Sequence, residues 1–290
     1  MQHRTSRTLR HILLTLCVAG AAALAGGAAF VYSGAYDVSA ERPHTQMVYS
    51  LLEVTLRQSV RRQARSIEER PLQSPALIQR GATCYRMHCL MCHGAPGVAP
   101  AAEALAMQPL PGPLQQAAAA WRPRELVWIT RHGIRMSAMP AWGGRLPDDD
   151  IWALAAFLAA LPMISPADWR DIESRTQPQA CPIVVSDSGR AAYAGGAEGT
   201  AARGRDALRR HGCHGCHVIP GVVGSQRLHG PPLAGYANRS LIKGRLPHTQ
   251  ANLVAWIRNP QAVDPGSAMP ATGVGEADAQ AMAAYLATLR

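Results

Sequence analysis

The sequence predicts an all-α chain in which two repeated domains follow one membrane-crossing helix. Three observations carry this. Residues 12–32, from Ile12 to Tyr32, run for 21 positions without a charge. Five landmarks recur in one order in two later stretches, as homologous domains require. No stretch alternates apolar and polar residues as a half-buried strand would, whereas several short segments carry helical spacing.

The elements follow in order. As a helix, 12–32 would span about 31 Å, enough to cross a bilayer. Arg4, Arg7 and Arg10 precede it without an acid, which places the N-terminus in the cytoplasm and the remainder across the membrane. Segment 1–35 is therefore read as a signal-anchor. A cleaved signal peptide with Gly27-Ala28-Ala29 as its site is the alternative, and the length of the apolar run favours retention. Cys17 is read as a membrane-buried thiol. Residues 36–74 form a juxtamembrane stalk, amphipathic over 44–70: Val48, Leu52, Leu56, Val60 and Ala64 line up, while Arg57, Arg61, Arg62 and Arg65 make the rest basic. It is either a solvated spacer or a surface for headgroups or a partner.

The domains span 75–165 and 197–290, with a linker at 166–196. In the first, Pro75–His88 is a helix with Pro suited to its first turn. Leu126, Val127, Ile129 and Ile134 mark a short middle helix. Asp148, Asp149 and Asp150 favour a helix start before Ile151–Leu161, stopped by Pro162. Pro166–Arg175 can continue as helix, whereas Ser186–Gly199, rich in Gly, Ala and Ser, reads as linker. The second domain offers helices at Thr200–His211, Gln250–Asn259 and Glu276–Leu289.

Length and composition bound the rest. A chain of 290 residues allows two domains at about 150 each. Aromatics are 5% with two Phe, thin for two cores unless something non-protein fills them. The net charge of +10, all Arg except Lys243, is spread along the chain. No basic stripe interleaves with aromatics, so nucleic acid is not an expected partner.

The repeated landmarks carry the chemistry. Arg80-Gly81 precedes Cys89-Leu90-Met91-Cys92-His93, and Arg203-Gly204 precedes Cys213-His214-Gly215-Cys216-His217. Pro96-Gly97-Val98 and Pro220-Gly221-Val222 follow. Ser137-Ala138-Met139-Pro140-Ala141 equals Ser267-Ala268-Met269-Pro270-Ala271, and Ala155–Leu161 answers Ala283–Leu289. Two thiols three residues apart can add to the two vinyl groups of one haem, and the adjacent His then reaches the iron: this is the c-type haem attachment motif. A shared Cys₄ zinc site is a poorer reading, because about 120 residues separate the pairs and each carries His at one fixed offset. A thioredoxin-like dithiol lacks its βαβ context.

The sixth iron position calls for another ligand. Met139 lies 46 residues after His93, and Met269 lies 52 after His217. Each precedes a Pro, which pins the backbone, and a core-filling Met would not require the same pentapeptide twice. Met136 competes in the first domain; Met282, His229 and His248 are weaker rivals in the second. Thioether ligation favours reduced iron and closes it to substrate.

On these motifs each half resembles a class I c-type cytochrome, and the resemblance covers about two-thirds of the chain. It implies a crossing of the helix before the Cys pair with the C-terminal helix, matched here by Gly81 with Phe157 and Gly204 with Tyr285. It also implies a Pro carbonyl that orients the proximal His, which fixes its tautomer: Pro231 for His217, and Pro111 or Pro113 for His93. From Leu246-Pro247 through Trp256 to Met269, the second half is similar to cytochrome domains fused to haem–copper oxidase subunits; the copper-binding module is absent from this sequence. The expected cofactors are two covalent haem c groups, held by Cys89, Cys92, His93 and Met139, and by Cys213, Cys216, His217 and Met269.

Electron transfer in a bacterial respiratory chain follows as the expected function, with haem domains in the periplasm and no catalytic residues. The expected partners are redox proteins (an oxidase, a dehydrogenase or a small carrier) and the membrane. A cytochrome subunit of such a complex is equally compatible. A di-haem peroxidase would need one iron open to peroxide, and two intact Met-Pro segments argue against it. A haem-based sensor would want a signalling module. His88 and His132 are expected as framework, and Trp121, Trp128, Trp142 and Trp256 as pocket packing. Cys84 and Cys181, outside the motifs of an exported chain, can pair. Arg209 and Arg210 are expected to ring the edge of the second haem toward an acidic partner.

Overall fold

The structure, a computed structural model, describes residues 2–176, 181–183, 199–224 and 230–290, with the side chains of 2–7 left aside. The linker expected over Ser186–Gly199 lies outside the described residues except for Gly199, and the rival ligand His229 lies outside them altogether.

Helix α1 (Gln2–Ser33) contains an apolar stretch, Thr8–Ser33, long and apolar enough to cross a membrane by length and composition. Helix α2 (Gln46–Gln63) ends in a 3₁₀ turn, Ala64–Ser66. Its last turns are not a free spacer. Val60 and Ala64 are fully buried, the Arg57 guanidinium lies 5.3 Å from the Trp121 ring centre, and Leu72 joins the first core. Packing of the first domain thus extends upstream of residue 75.

That domain holds α3 (Pro75–His88), α4 (Leu90–His93), α5 (Ala102–Leu105), α6 (Ala117–Ala120), α7 (Pro123–His132), α8 (Asp148–Ala160) and α9 (Pro166–Arg175). Ser74 caps α3 by accepting from Leu77 N at 3.4 Å, with Pro75 in the first turn, where its missing N–H costs nothing. The three aspartates open α8 as charge at a helix N-terminus should. Helix α8 ends at Ala160, and Pro162 stands just beyond it in the 3₁₀ turn Leu161–Met163, as a helix stop should. Helix α9, expected in the linker, packs on α3 and buries Trp169 completely. Cys84 and Cys181 form a disulfide, which fastens Cys181 to α3 of the first domain.

The second domain holds α10 (Thr200–Arg210), α11 (Gln250–Arg258), α12 (Pro260–Val263) and α13 (Glu276–Leu286). Two-residue strands β1 (Leu241–Ile242) and β2 (Leu246–Pro247) pair antiparallel in a small hairpin, the one strand pair among the described residues.

One crossing organises each domain: α3 on α8, and α10 on α13. A Cβ on Gly81 would overlap the Ala153 carbonyl and crowd Phe157 Cβ, and one on Gly204 would overlap the Ala281 carbonyl and crowd Tyr285 Cβ. Only glycine lets the backbones approach so closely. Two separate apolar cores result.

Candidate functional site

Each Cys-x-x-Cys-His segment sits where the first crossing helix ends. In the first domain Cys89 N donates to Tyr85 O, and His93 N donates to Cys89 O at 2.9 Å, so the two thiols and the imidazole share one helical turn. Gly94, at φ 64°, ends that turn; a Cβ there would press on Val98 O and Pro100. In the second domain Gly212 at φ 74° breaks the chain away from α10. A 3₁₀ turn, Cys213–Gly215, follows, and His217 N again donates to the first cysteine carbonyl, at 3.0 Å.

Both imidazoles are oriented through Nδ1. His217 Nδ1 lies 2.7 Å from Pro231 O, the expected acceptor. His93 Nδ1 lies 2.7 Å from Gly112 O, so neither Pro111 nor Pro113 serves. These prolines flank Gly112 and restrict the loop; the carbonyl that points inward is the one between them. With Nδ1–H donated, Nε2 carries the lone pair, which is the tautomer a metal needs. Burial pushes the His93 imidazolium below its ordinary range, against the hydrogen bond to Gly112 that favours it, which keeps the ring neutral. Gly230 adds a cradle: a Cβ there would stand 2.5 Å from His217 Cε1. That role escaped the sequence reading, although Gly230 directly precedes Pro231.

The motif thiols remain unpaired with one another. Burial, reinforced by Cys92, pushes the Cys89 thiol up to about 12, and burial pushes Cys213 up to about 11. Among the described residues, no group of three or more metal-ligating side chains includes a motif cysteine; the one such group, Cys84, Asp150 and Cys181, is built on the disulfide. This counts against the shared zinc reading. Two neighbouring thiols and an Nε2 lone pair on one turn are a donor set that fits a covalently held haem.

The methionine segments share one construction. Met139 N donates to Ser137 Oγ, and Met269 N to Ser267 Oγ, each at 3.2 Å. The supports beneath differ. In the first domain Ile134 N reaches Met139 O at 3.3 Å, and a Cβ on Gly133 would meet that carbonyl at 2.7 Å. In the second, Gln261 Nε2 reaches Ser267 O at 3.2 Å and Met269 O at 2.5 Å. Gly133 and Gln261 were not singled out from sequence, because neither repeats in the other half.

Rival and auxiliary residues find other places. Met136 points to solvent and Met282 is fully buried in the second core. His248 Nδ1 bonds Arg239 O at 2.7 Å, His88 Nε2 bonds Cys181 O at 2.8 Å, and His132 stacks on Trp128. Trp121 and Trp142 pack against the first core and Trp256 against the second. Arg209 is exposed. Arg210 instead turns to Asp278 on α13, at 3.5 Å, beside His211 at 2.9 Å. A docking patch built on both arginines therefore loses one to an internal pair.

The crossings, the haem-type turns and the methionine segments together define two c-type cytochrome domains in tandem, behind an apolar helix suited to membrane anchoring. Residues 76–158 match the family model for cytochrome c oxidase, cbb3-type, subunit III, and residues 201–290 match that for cytochrome c. The chain is 36% identical over 94 residues to cytochrome c oxidase subunit 2 of Alkalihalophilus pseudofirmus, covering 32% of this chain and 27% of that protein. It is 34% identical over 89 residues to cytochrome c oxidase subunit 2 of Bacillus sp. (strain PS3), covering 29% and 25%. The chain thus spans about a quarter of the length of these curated relatives. No solved structure matches it. Haem-based electron transfer is the function these domains carry.

Proposed function

We propose that the chain carries electrons through two haem c groups, as an anchored cytochrome serving an oxidase-type complex, with its haem domains on the periplasmic side. The observation that supports this best is the duplication. The same bond from the histidine N–H to the first cysteine carbonyl, the same Nδ1–carbonyl bond and the same Ser-supported Met-Pro segment occur twice.

Haem c, when bound, supplies a one-electron iron couple. Cys89 and Cys92, and Cys213 and Cys216, would hold the two groups covalently. His93 and His217 would each offer Nε2 to iron, steadied by the Gly112 and Pro231 carbonyls. Met139 and Met269 would be the further iron ligands, and their thioethers would favour the reduced state. The relatives named as oxidase subunits support an oxidase-type partner. No general acid or nucleophile is needed, because only an electron moves.

A pyridine haemochrome assay is expected to give two haems per chain, resistant to acid–acetone; a ratio near one would sink the duplicated reading. Met139→Ala and Met269→Ala should each lower one potential and remove about half of the Met-to-iron band near the red end of the spectrum. An unchanged spectrum in either variant would assign that position to another residue.

A further inference from the structure

We propose that the first half of α2 lies in the surface of an anionic phospholipid bilayer, and so sets how the first domain stands on the membrane. The inference rests on anchorage through α1 and is independent of haem ligation.

The connection between α1 and α2 is folded back on itself. Phe30, in the last turn of α1, meets Tyr36 edge-on with ring centres 6.3 Å apart. Tyr36 stacks on His44 at 6.1 Å, and its Oη lies 2.5 Å from His44 Nδ1. His44 stands two residues before α2. This aromatic chain holds the start of α2 beside the end of the apolar helix, at the level where aromatic side chains favour the membrane–water boundary.

That end of α2 is also bare. Met47, Leu51 and Val54 are 83%, 65% and 56% exposed, and their i, i+4, i+7 spacing makes one stripe. Continued along the helix, the stripe runs into Gln58, Arg61 and Arg65, with Arg62 beside it, all exposed. It carries no acid. Glu53, the sole acid of α2, lies on the other side and pairs with Arg57 at 2.9 Å. The opposite face is the one that packs: Val60 and Ala64 are buried, and Arg57 covers Trp121. The stripe therefore points away from the first domain. An apolar patch next to a membrane anchor, continued by cations, fits the acyl boundary for the apolar part and lipid phosphates for the arginines.

The test uses the full-length holoprotein in a Cys17→Ser background, reconstituted in vesicles of phosphatidylcholine with phosphatidylglycerol. Nitroxide labels are placed through Met47→Cys, Leu51→Cys or Val54→Cys, with Leu24→Cys as a label inside the anchor. Collision with oxygen, which concentrates in lipid, is compared with collision with a water-soluble nickel chelate. The expected result is frequent oxygen and rare nickel collision at Leu24 and at the three α2 positions. Nickel collision at the α2 positions should rise several-fold in phosphatidylcholine alone, or with Arg61→Gln/Arg62→Gln/Arg65→Gln, while Leu24 stays unchanged. Free nickel access at all three α2 positions, with Leu24 protected, would overturn the proposal. Exclusion of both reagents would overturn it in favour of a protein partner, such as a second copy. Indifference to lipid charge would overturn the assignment of the arginines to phosphates. Nickel access at Leu24 would remove the anchorage and the proposal with it.

Discussion

In the first domain Tyr85 stands on α3, four residues after the crossing glycine, and faces Phe157 on α8 with ring centres 5.1 Å apart. In the second domain the corresponding position on α10 is Leu208, and the tyrosine is Tyr285, on the partner helix α13. Both phenols nonetheless do one job. Tyr85 Oη donates to Gly94 O at 2.6 Å, and Tyr285 Oη donates to Pro220 O at 2.6 Å. Each ties the loop after the Cys-x-x-Cys-His turn to the crossing. What the fold requires is a hydroxyl delivered to that loop, and either helix can supply it because the two lie in contact. Burial raises the Tyr85 phenol above its ordinary range, so it stays a donor at any physiological pH.

The domains differ more in reinforcement. The first has three aromatic rings in mutual contact, Tyr85, Phe157 and Trp169, and a disulfide that closes 97 residues of sequence. The second is packed mainly by aliphatic residues, Tyr236 and Met282. Their buried acids differ too: Asp150 takes Arg80, whereas Asp278 takes His211 and Arg210.

The largest expected break between the domains comes from Cys84→Ser/Cys181→Ser. Opening so long a loop should cost the first domain about 4 kcal/mol and leave the second untouched. Hydrogen exchange read peptide by peptide in the holoprotein would check this; equal loss of protection in both domains would mean that they unfold as one unit. Next, Gly81→Ala and Gly204→Ala should each cost about 3 kcal/mol, because the overlapping atom is a backbone carbonyl with nowhere to move. Here the domains should respond alike, each variant melting its own domain in a urea titration, and a mild effect in one would show that its crossing can widen. The two phenol clamps should respond least, and unequally. Tyr85→Phe leaves the buried Gly94 carbonyl without its partner and should cost about 2 kcal/mol. Tyr285→Phe, at a partly exposed site where water can replace the phenol, should cost about 0.5 kcal/mol. Equal costs would show that burial does not separate the two clamps.

The crossing pairs Gly81–Phe157 and Gly204–Tyr285 came from the resemblance to class I c-type cytochromes, whereas the anchor-length apolar run, the duplication, both Cys-x-x-Cys-His spacings and the methionine segments are legible in the residues alone. These are local or repeated signals: a thiol spacing acts within one helical turn, and a motif found twice in one order reports shared ancestry. Helix bounds such as Pro75–His88 were legible because capping and proline act on adjacent residues. Which carbonyl holds His93 had to come from the folded chain, since flanking prolines restrict a loop without saying which of its oxygens turns inward. So did the packing of α9 and the end of α2 with the first domain, the meeting of Cys84 with Cys181, and the turn of Arg210 to Asp278. Each of these joins residues far apart in sequence, and which partner a side chain meets is set by the three-dimensional crossing of helices rather than by spacing along any one of them.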